Sequence, residues 1–426
     1  MINKSILKEI LLTNEEFIKT RAGKLVPRVN IKLPSELNKV IIFYGVRRCG
    51  KTHILYDLFL KNKDNSFYMD FEDERLQGFK LEDFENLRES FFEIKPNLIN
   101  KEINLFLDEV HNIPGWEKFA RRMVEKENAR IFVTGSSSKI MPREIQTSLR
   151  GRSWSIEVNT FSFLESLSIK NVKLEKHPAL SSSLKLHIKN YFNDYLHWGG
   201  FPEVLLLSDD YEKGKILNEY MEAMFFKDLV ERFNVSNTRL LSMLMETLFS
   251  SFAAKFSLTS FYKKNKQNLP FSKDTLFAYY KHFLESMLVY EVRIFSESSY
   301  KRQRNPSKLY LADLGLCKRT ASADLGRMLE NLVFLNLRKN NREVYYFSEI
   351  NECDFIVKDY KGLFTSFQVT HELSDNNRAR ELDGLVSACE RLKLKEGLLL
   401  TSGQEDSITY KKHKVKILPV WKWLIQ

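Results

Sequence analysis

Cysteine, proline, glycine and long apolar runs are all scarce in this chain of 426 residues. The four cysteines, Cys49, Cys317, Cys353 and Cys389, lie far apart and form no CxxC pair. That excludes a disulfide framework and a zinc ribbon, and it fits a reducing cytoplasm. With 10 Pro and 16 Gly, long disordered linkers are not expected. No run approaches the roughly 18 apolar residues of a membrane span, and the N-terminus lacks a signal-peptide core. The expectation is a cytoplasmic protein without a membrane partner. What is abundant is core material and positive charge: 32 Phe, 17 Tyr, 43% hydrophobic residues and a net charge of +11. The length suggests about two or three domains. The charge is compatible with nucleic acid or an acidic surface, although solvated lysines alone produce the same balance.

The stretch Gly45-Val46-Arg47-Arg48-Cys49-Gly50-Lys51-Thr52 organises the rest. A compact apolar run, Val40 to Tyr44, precedes it and an amphipathic segment, His53 to Leu60, follows it, which reads as buried strand, glycine turn and helix. The spacing G-x-x-x-x-G-K-T is that of a phosphate-binding loop. Gly45 and Gly50 open backbone angles closed to other residues, so successive N–H groups can converge on phosphate oxygens at a helix N-terminus. Lys51 reaches the terminal phosphates of ATP, and the Thr52 hydroxyl can ligate Mg2+. A chance glycine turn would not carry the same strand and helix on its two sides.

The second half of such a site is Ile103-Asn104-Leu105-Phe106-Leu107-Asp108-Glu109, with Asp108 57 positions after Lys51. A buried strand delivers both carboxylates to its C-terminal end, where ligands bind in open α/β sheets. Asp108 is expected to hold Mg2+ through water, and Glu109 to orient and deprotonate the attacking water. The next strand, Arg130 to Ser136, ends in hydroxyls. Thr134, Ser136 and Ser137 can each touch the γ-phosphate or the water, and Ser136 is preferred. Leu149-Arg150-Gly151-Arg152 then precedes a strand at Trp154 to Val158. Arg150 or Arg152 can serve a phosphate in cis or from a neighbouring subunit of a homo-oligomer, or they form a surface pair.

Strands alternating with helices predict right-handed βαβ units and a mostly parallel sheet. The boundaries read as an N-terminal helix and connector (1–38), a nucleotide domain (39–160), a helical region (161–239), a winged-helix-like unit (240–307) and a second α/β domain (308–426). The helical region contains Trp198-Gly199-Gly200-Phe201-Pro202, a turn with no evident chemistry. In the fourth segment Ser272 caps a helix carrying Leu276, Tyr280 and Phe283, and a strand follows, in the order of a winged helix. Residues 255–308 hold 11 Lys/Arg against 4 Asp/Glu, a charge suited to DNA phosphates or to plain solvation.

Taken in order, the glycine loop, Asp108-Glu109 with Trp116, Thr134-Gly135-Ser136, Leu149 to Arg152, Trp198 to Pro202, Lys308 to Asp313, and Glu330 to Asp354 resemble one family over nearly the whole chain. It is that of prokaryotic AAA+ P-loop ATPases with a C-terminal domain of uncharacterised function. The resemblance implies a parallel-sheet ATPase domain and a C-terminal domain similar to the PD-(D/E)XK nuclease fold. In that fold a helix Glu, a strand Asp and an E-x-K triplet assemble a Mg2+ site. Glu330 and Asp354 match the first two. Gln368-Val369-Thr370 occupies the triplet with Gln for Glu and Thr for Lys, so Gln368 keeps a neutral oxygen and Thr370 brings no charge. Arg378 and Arg380 follow nearby as substitutes for the lysine.

The expected function is ATP binding and Mg2+-dependent hydrolysis, coupled to a C-terminal module that binds nucleic acid or a partner. Other readings are an ATP-gated nuclease or defence effector, and a scaffold that binds nucleotide without turnover. A helicase, which Asp108-Glu109-Val110-His111 mimics, would need a second motor domain that does not follow.

Overall fold

The computed structural model describes residues 2–29, 31–34, 39–135, 147–172, 181–319, 324–339 and 342–426. The chain divides into two compact units, residues 1–160 and 161–426. Among the described residues no helix is long and apolar enough to cross a membrane.

The first unit opens with helix α1 (Lys4–Arg21), capped by Asn3, whose side chain accepts the Ser5 N–H at 3.0 Å. Then come β1 (Val40–Tyr44), α2 (Lys51–Lys61), β2 (Ser66–Asp70), α3 (Asp83–Ile94), β3 (Ile103–Asp108), α4 (Trp116–Lys126), β4 (Ala129–Thr134) and β5 (Ser153–Glu157). The strands pair in the order β2-β3-β4-β1-β5, all parallel. The apolar runs of β1 to β4 are buried, including all six residues of β3, because helices cover both faces of such a sheet. Leu7, Ile10 and Leu11 of α1 join the same core as Leu87 and Phe91 of α3, so the N-terminal helix is part of this unit. Phe84 stacks on Phe119 at 4.4 Å between ring centres and ties α3 to α4. Since every strand runs the same way, the carboxyl ends of β1, β3 and β4 lie along one edge. The strand order reverses beside β1, and that is where an open α/β sheet forms its crevice.

The second unit carries β6 (Ala254–Phe256), β7 (Val289–Ile294), β8 (Ser307–Leu311), β9 (Glu343–Ser348), β10 (Glu352–Lys358), β11 (Phe364–Val369), β12 (Glu396–Thr401), β13 (Asp406–Tyr410) and β14 (His413–Pro419). They form one mixed sheet in the order β13-β14-β12-β11-β10-β9-β7-β8-β6. Helices α5 (Thr238–Ser250), α6 (Leu258–Asn265) and α7 (Lys273–Glu285) accompany β6, β7 and β8, giving the element order helix, strand, two helices and two strands, with a short helix (Ser299–Arg304) between the last two strands. Ser272 caps α7 by accepting the Thr275 N–H at 3.0 Å, and Leu276, Tyr280 and Phe283 are buried. The boundaries read from sequence at 239/240 and 307/308 both fall inside this unit: β7 runs parallel to β9 through Arg293–Tyr345 and Ile294–Tyr346, which joins the two sets of strands. Beyond β8, helix α8 (Leu325–Leu337), the antiparallel strands β9, β10 and β11, helix α9 (Asp375–Leu392) and β12 parallel to β11 follow in turn.

The turn at Trp198 to Pro202 has a structural explanation. The buried Asp313 carboxylate accepts the Gly200 N–H at 2.8 Å and the Gly315 N–H at 2.7 Å. The Gly200 carbonyl in turn accepts the Phe161 N–H at 2.8 Å. A buried carboxylate between backbone donors is satisfied in place, so the turn anchors the end of β8.

Candidate functional site

The loop between β1 and α2 has the shape its spacing predicts, for two different reasons. Gly50 sits at φ +96°, a left-handed conformation at the helix N-cap that side chains resist. Gly45 is required for space instead: a Cβ there would stand 2.0 Å from the Val158 carbonyl oxygen. Lys51 is buried, and its ammonium donates to the Gly45 carbonyl at 3.1 Å and the Val46 carbonyl at 3.2 Å, which holds it over the loop. Val46 and Cys49 are buried within the loop, and Arg48 turns it at φ +67°. Arg47 lies on it as well.

Asp108 ends β3 at the same sheet edge. Tyr68 donates its hydroxyl to one carboxylate oxygen at 2.7 Å and Thr134 donates to the other, while the Thr52 side chain also bonds Asp108. Burial raises the Asp108 carboxyl above its ordinary value, the Thr134 bond lowers it and the Glu109 charge raises it again. A fully buried carboxyl beside the Thr52 hydroxyl is the donor set that suits Mg2+, a hard ion taking oxygen ligands, so these residues fit the ion. Asp70, paired with Asp108 across β2 and β3, adds a third acid, pushed up to about 6 by burial against a bond from the Glu72 N–H. Glu109 follows in a left-handed conformation, φ +49° and ψ 32°. Its N–H donates to the Thr134 hydroxyl at 3.3 Å, and its carboxylate stands 3.1 Å from His111 Nδ1, within ion-pair reach though not aligned as a hydrogen bond. A non-glycine residue held this way is strained, and such strain concentrates at working sites.

Among the described residues, the hydroxyl at this strand end that meets Asp108 and the Glu109 N–H is Thr134. The preferred Ser136, with Ser137, lies outside the described residues. The β3–β4 register, with Leu107 opposite Val133, sets Asp108 beside Thr134. Arg28 was not foreseen. It donates to the Cys49 carbonyl at 3.0 Å and to the Asn159 carbonyl at 2.7 Å, joining the loop to the last residues of the unit. Arg150 and Arg152 come just before β5, and the Arg152 carbonyl accepts the Val40 N–H at the start of β1. They thus stand at the sheet edge opposite the glycine loop. A five-residue strand separates the edges by roughly 16 Å at about 3.3 Å per residue, which favours supply from a neighbouring subunit over the in-cis arrangement. Both arginines are exposed, and Arg152 pairs with Glu125.

In the second unit the structure brings Glu330, Asp354, Gln368 and Thr370 to one cavity of about 680 Å³. The Gln368 side-chain oxygen, expected to remain available to a metal, instead accepts the Asp354 N–H at 3.2 Å, and its amide donates to Glu381 at 2.6 Å. The Thr370 hydroxyl donates to the Glu372 carbonyl at 3.3 Å. Arg380 pairs with Glu381. At the centre is a residue that sequence reasoning missed as a site residue, Lys308 of β8. Its ammonium stands 3.1 Å from Glu330, 2.8 Å from Glu352 and 2.9 Å from Asp354. Tyr310, on the same face of β8, donates to Glu330 at 2.7 Å. The Lys308 to Asp313 motif marked the stretch without giving Lys308 a role, and the local pattern was a Lys and a Tyr two apart in a short strand. Burial alone would lower the Lys308 pKa, but Asp354 and then Glu330 hold it well above the usual lysine value. Burial, followed by the Asp354 charge, raises Glu330.

Residues 37–167 match an AAA domain, residues 189–325 a domain of unknown function (DUF8612) and residues 325–423 another (DUF4143). Uncharacterized protein MJ1544 of Methanocaldococcus jannaschii is 36% identical over 441 residues, covering 99% of this chain and 96% of that protein. An uncharacterized protein of Haemophilus influenzae is 25% identical over 401 residues, covering 90% and 94%. A Walker-type ATPase of Pyrococcus abyssi has a similar structure over 71% of this chain and 93% of its own, at 12% identity and a TM-score of 0.43. With 36% identity across nearly its whole length, the chain belongs to the same family as protein MJ1544, and its first unit is an AAA-type P-loop domain, matched where the glycine loop and the buried acids meet.

Proposed function

We propose that the protein hydrolyses ATP with Mg2+ in its first unit and couples nucleotide state to a second unit that binds nucleic acid or a protein partner. The observation that carries the hydrolytic reading is the chain of contacts at one sheet edge: Thr52 on Asp108, Thr134 on Asp108, and the Glu109 N–H on Thr134. The loop N–H groups and Lys51 bind the β- and γ-phosphates. Thr52 and Asp108 would hold Mg2+, which when bound neutralises phosphate charge. Glu109 takes the proton of the attacking water. Arg28 supports coupling, since it bonds both the loop at Cys49 and Asn159, next to the point where the chain leaves for the second unit. Arg150 or Arg152 is proposed to complete the site of a neighbouring subunit.

Lys51→Ala is expected to weaken ATP binding by roughly 10²-fold or more, since it removes charge-assisted bonds of about 1.5–3 kcal/mol each. Binding of a fluorescent ATP analogue measures this; an unchanged affinity would place the phosphates elsewhere.

For the second unit, the element order of α5 to β8 supports a winged-helix-like reading, and the order of α8 to β12 a PD-(D/E)XK-like one. The bonding of Gln368 and Thr370 within the protein favours a module that binds over one that cuts. Of the eleven cations in 255–308, Lys255 and Lys308 are ion-paired to Glu352, Lys281 to Glu285 and Arg293 to Glu291, and of the other seven the exposed cluster Lys263, Lys264 and Lys266 is the proposed place for DNA phosphates. DNA affinity is expected to fall steeply with salt and to weaken for every sequence alike when these three become Glu. Binding that ignores both changes points to a protein partner. Strand cutting in the same Mg2+ mixtures that vanishes in Asp354→Ala would put the ATP-gated nuclease first.

A further inference from the structure

Three carboxylates from two elements, Glu330 on α8 and Glu352 and Asp354 on β10, close on one ammonium at 2.8–3.1 Å. Lys308 exposes 4% of its side chain, so it is not a surface lysine that happens to lie near acids. An ammonium has three N–H donors; this one donates to Glu330 and Asp354 and forms an ion pair with Glu352. That is how oxygen ligands surround a hard cation, except that the charge is carried on a side chain. Among the described residues no group of His, Cys, Asp or Glu is arranged to hold a metal, this cluster included. The same point in space cannot hold both an ion and the lysine.

We propose that Lys308 is a tethered cation filling a divalent-metal site in the second unit, so that the cavity works without metal as the chain stands and becomes a Ca2+ site when the lysine is removed. Strand order makes the arrangement specific. β7 and β9 lie between β8 and β10, yet the Lys308 side chain reaches Asp354. Asp354 is fixed from its other side as well, its second oxygen accepting the Val369 N–H at 2.9 Å. Tyr310 likewise holds Glu330. Glu330 and Asp354 therefore keep their places when the ammonium goes, Glu352 stays tied to Lys255, and like-charge repulsion among the three draws in a replacement cation. Ca2+ is the ion of choice: its oxygen ligands sit at about 2.3–2.6 Å, the smallest contraction from the present distances, and it accepts the remaining ligands from water. Nothing in this proposal depends on ATP turnover.

Calorimetric titration of full-length protein with Ca2+, without nucleotide, tests it. Wild type is expected to take up no Ca2+ at this cavity. Lys308→Ala should bind one additional equivalent, and Lys308→Ala/Asp354→Asn should lose it again. Any Ca2+ held near Asp108 is common to all three proteins and cancels in the comparison. Binding should also raise the melting temperature of Lys308→Ala by about 2–5 °C at a tenfold excess over the dissociation constant. Should Lys308→Ala fail to fold, Lys308→Ala/Glu330→Gln carries one charge fewer, keeps Glu352 and Asp354, and is expected to bind more weakly. Wild-type binding that Asp354→Asn abolishes would overturn the proposal, because the lysine would then not exclude the metal. Absence of an added site in both lysine variants would overturn it equally.

Discussion

Glu109→Gln is expected to keep ATP and to lose turnover by about 10²–10⁴-fold, the range a positioned general base contributes. The amide has the carboxylate's shape, so the left-handed turn at φ +49° and the backbone bond to Thr134 remain. What disappears is the capacity to accept a proton from water. Binding and turnover therefore separate in this variant, whereas Lys51→Ala loses both. The measurement is phosphate release at saturating ATP beside the affinity for a fluorescent analogue. A wild-type rate would remove Glu109 from the role of base and turn attention to Asp70, the third acid at this edge. Binding without any turnover in the wild-type protein would favour the scaffold reading instead.

The nucleotide site was legible because its parts are local. Gly45 to Thr52 are consecutive, and Asp108-Glu109 close one apolar strand, so strand, turn and helix chemistry are written in adjacent residues. Thr134 was harder. It closes β4, with Ser136 and Ser137 just after it in sequence, and it is the register of β3 against β4 that sets Thr134 beside Asp108. Arg28 is harder still, because its partners lie 21 and 131 residues away and are backbone carbonyls, which carry no residue code. In the second unit the recognisable positions, Glu330 and Asp354, do converge, but the residue between them comes from β8, separated from β10 by two other strands. No spacing rule links Lys308 to Asp354. Counting it among the basic residues of 255–308 even pointed outward, to phosphate, when the side chain is turned into the protein.

Alanine at both Arg150 and Arg152 is expected to cut turnover by about 10³-fold or more while leaving ATP affinity nearly unchanged, because an arginine of this kind stabilises charge that develops only in the transition state. The fold makes the direction of supply specific. Both residues precede β5, and the Arg152 carbonyl bonds the first residue of β1, so they sit at the amino edge of a parallel sheet whose carboxyl edge carries the glycine loop. Within one subunit both residues therefore stand at the edge opposite their own glycine loop. An exposed arginine pair there, with Arg152 held by Glu125, suits a phosphate presented by a second copy. Turnover per subunit should then rise with protein concentration as copies associate. Mixing the double alanine variant, which keeps Glu109, with Glu109→Gln, which keeps both arginines, should restore activity that neither has alone, since some interfaces then pair an intact base with an intact arginine. Full turnover in the double variant would end the assignment. Loss of turnover that mixing cannot restore, with rates independent of concentration, would make the arginines structural supports of β5 rather than partners of a neighbour's phosphate.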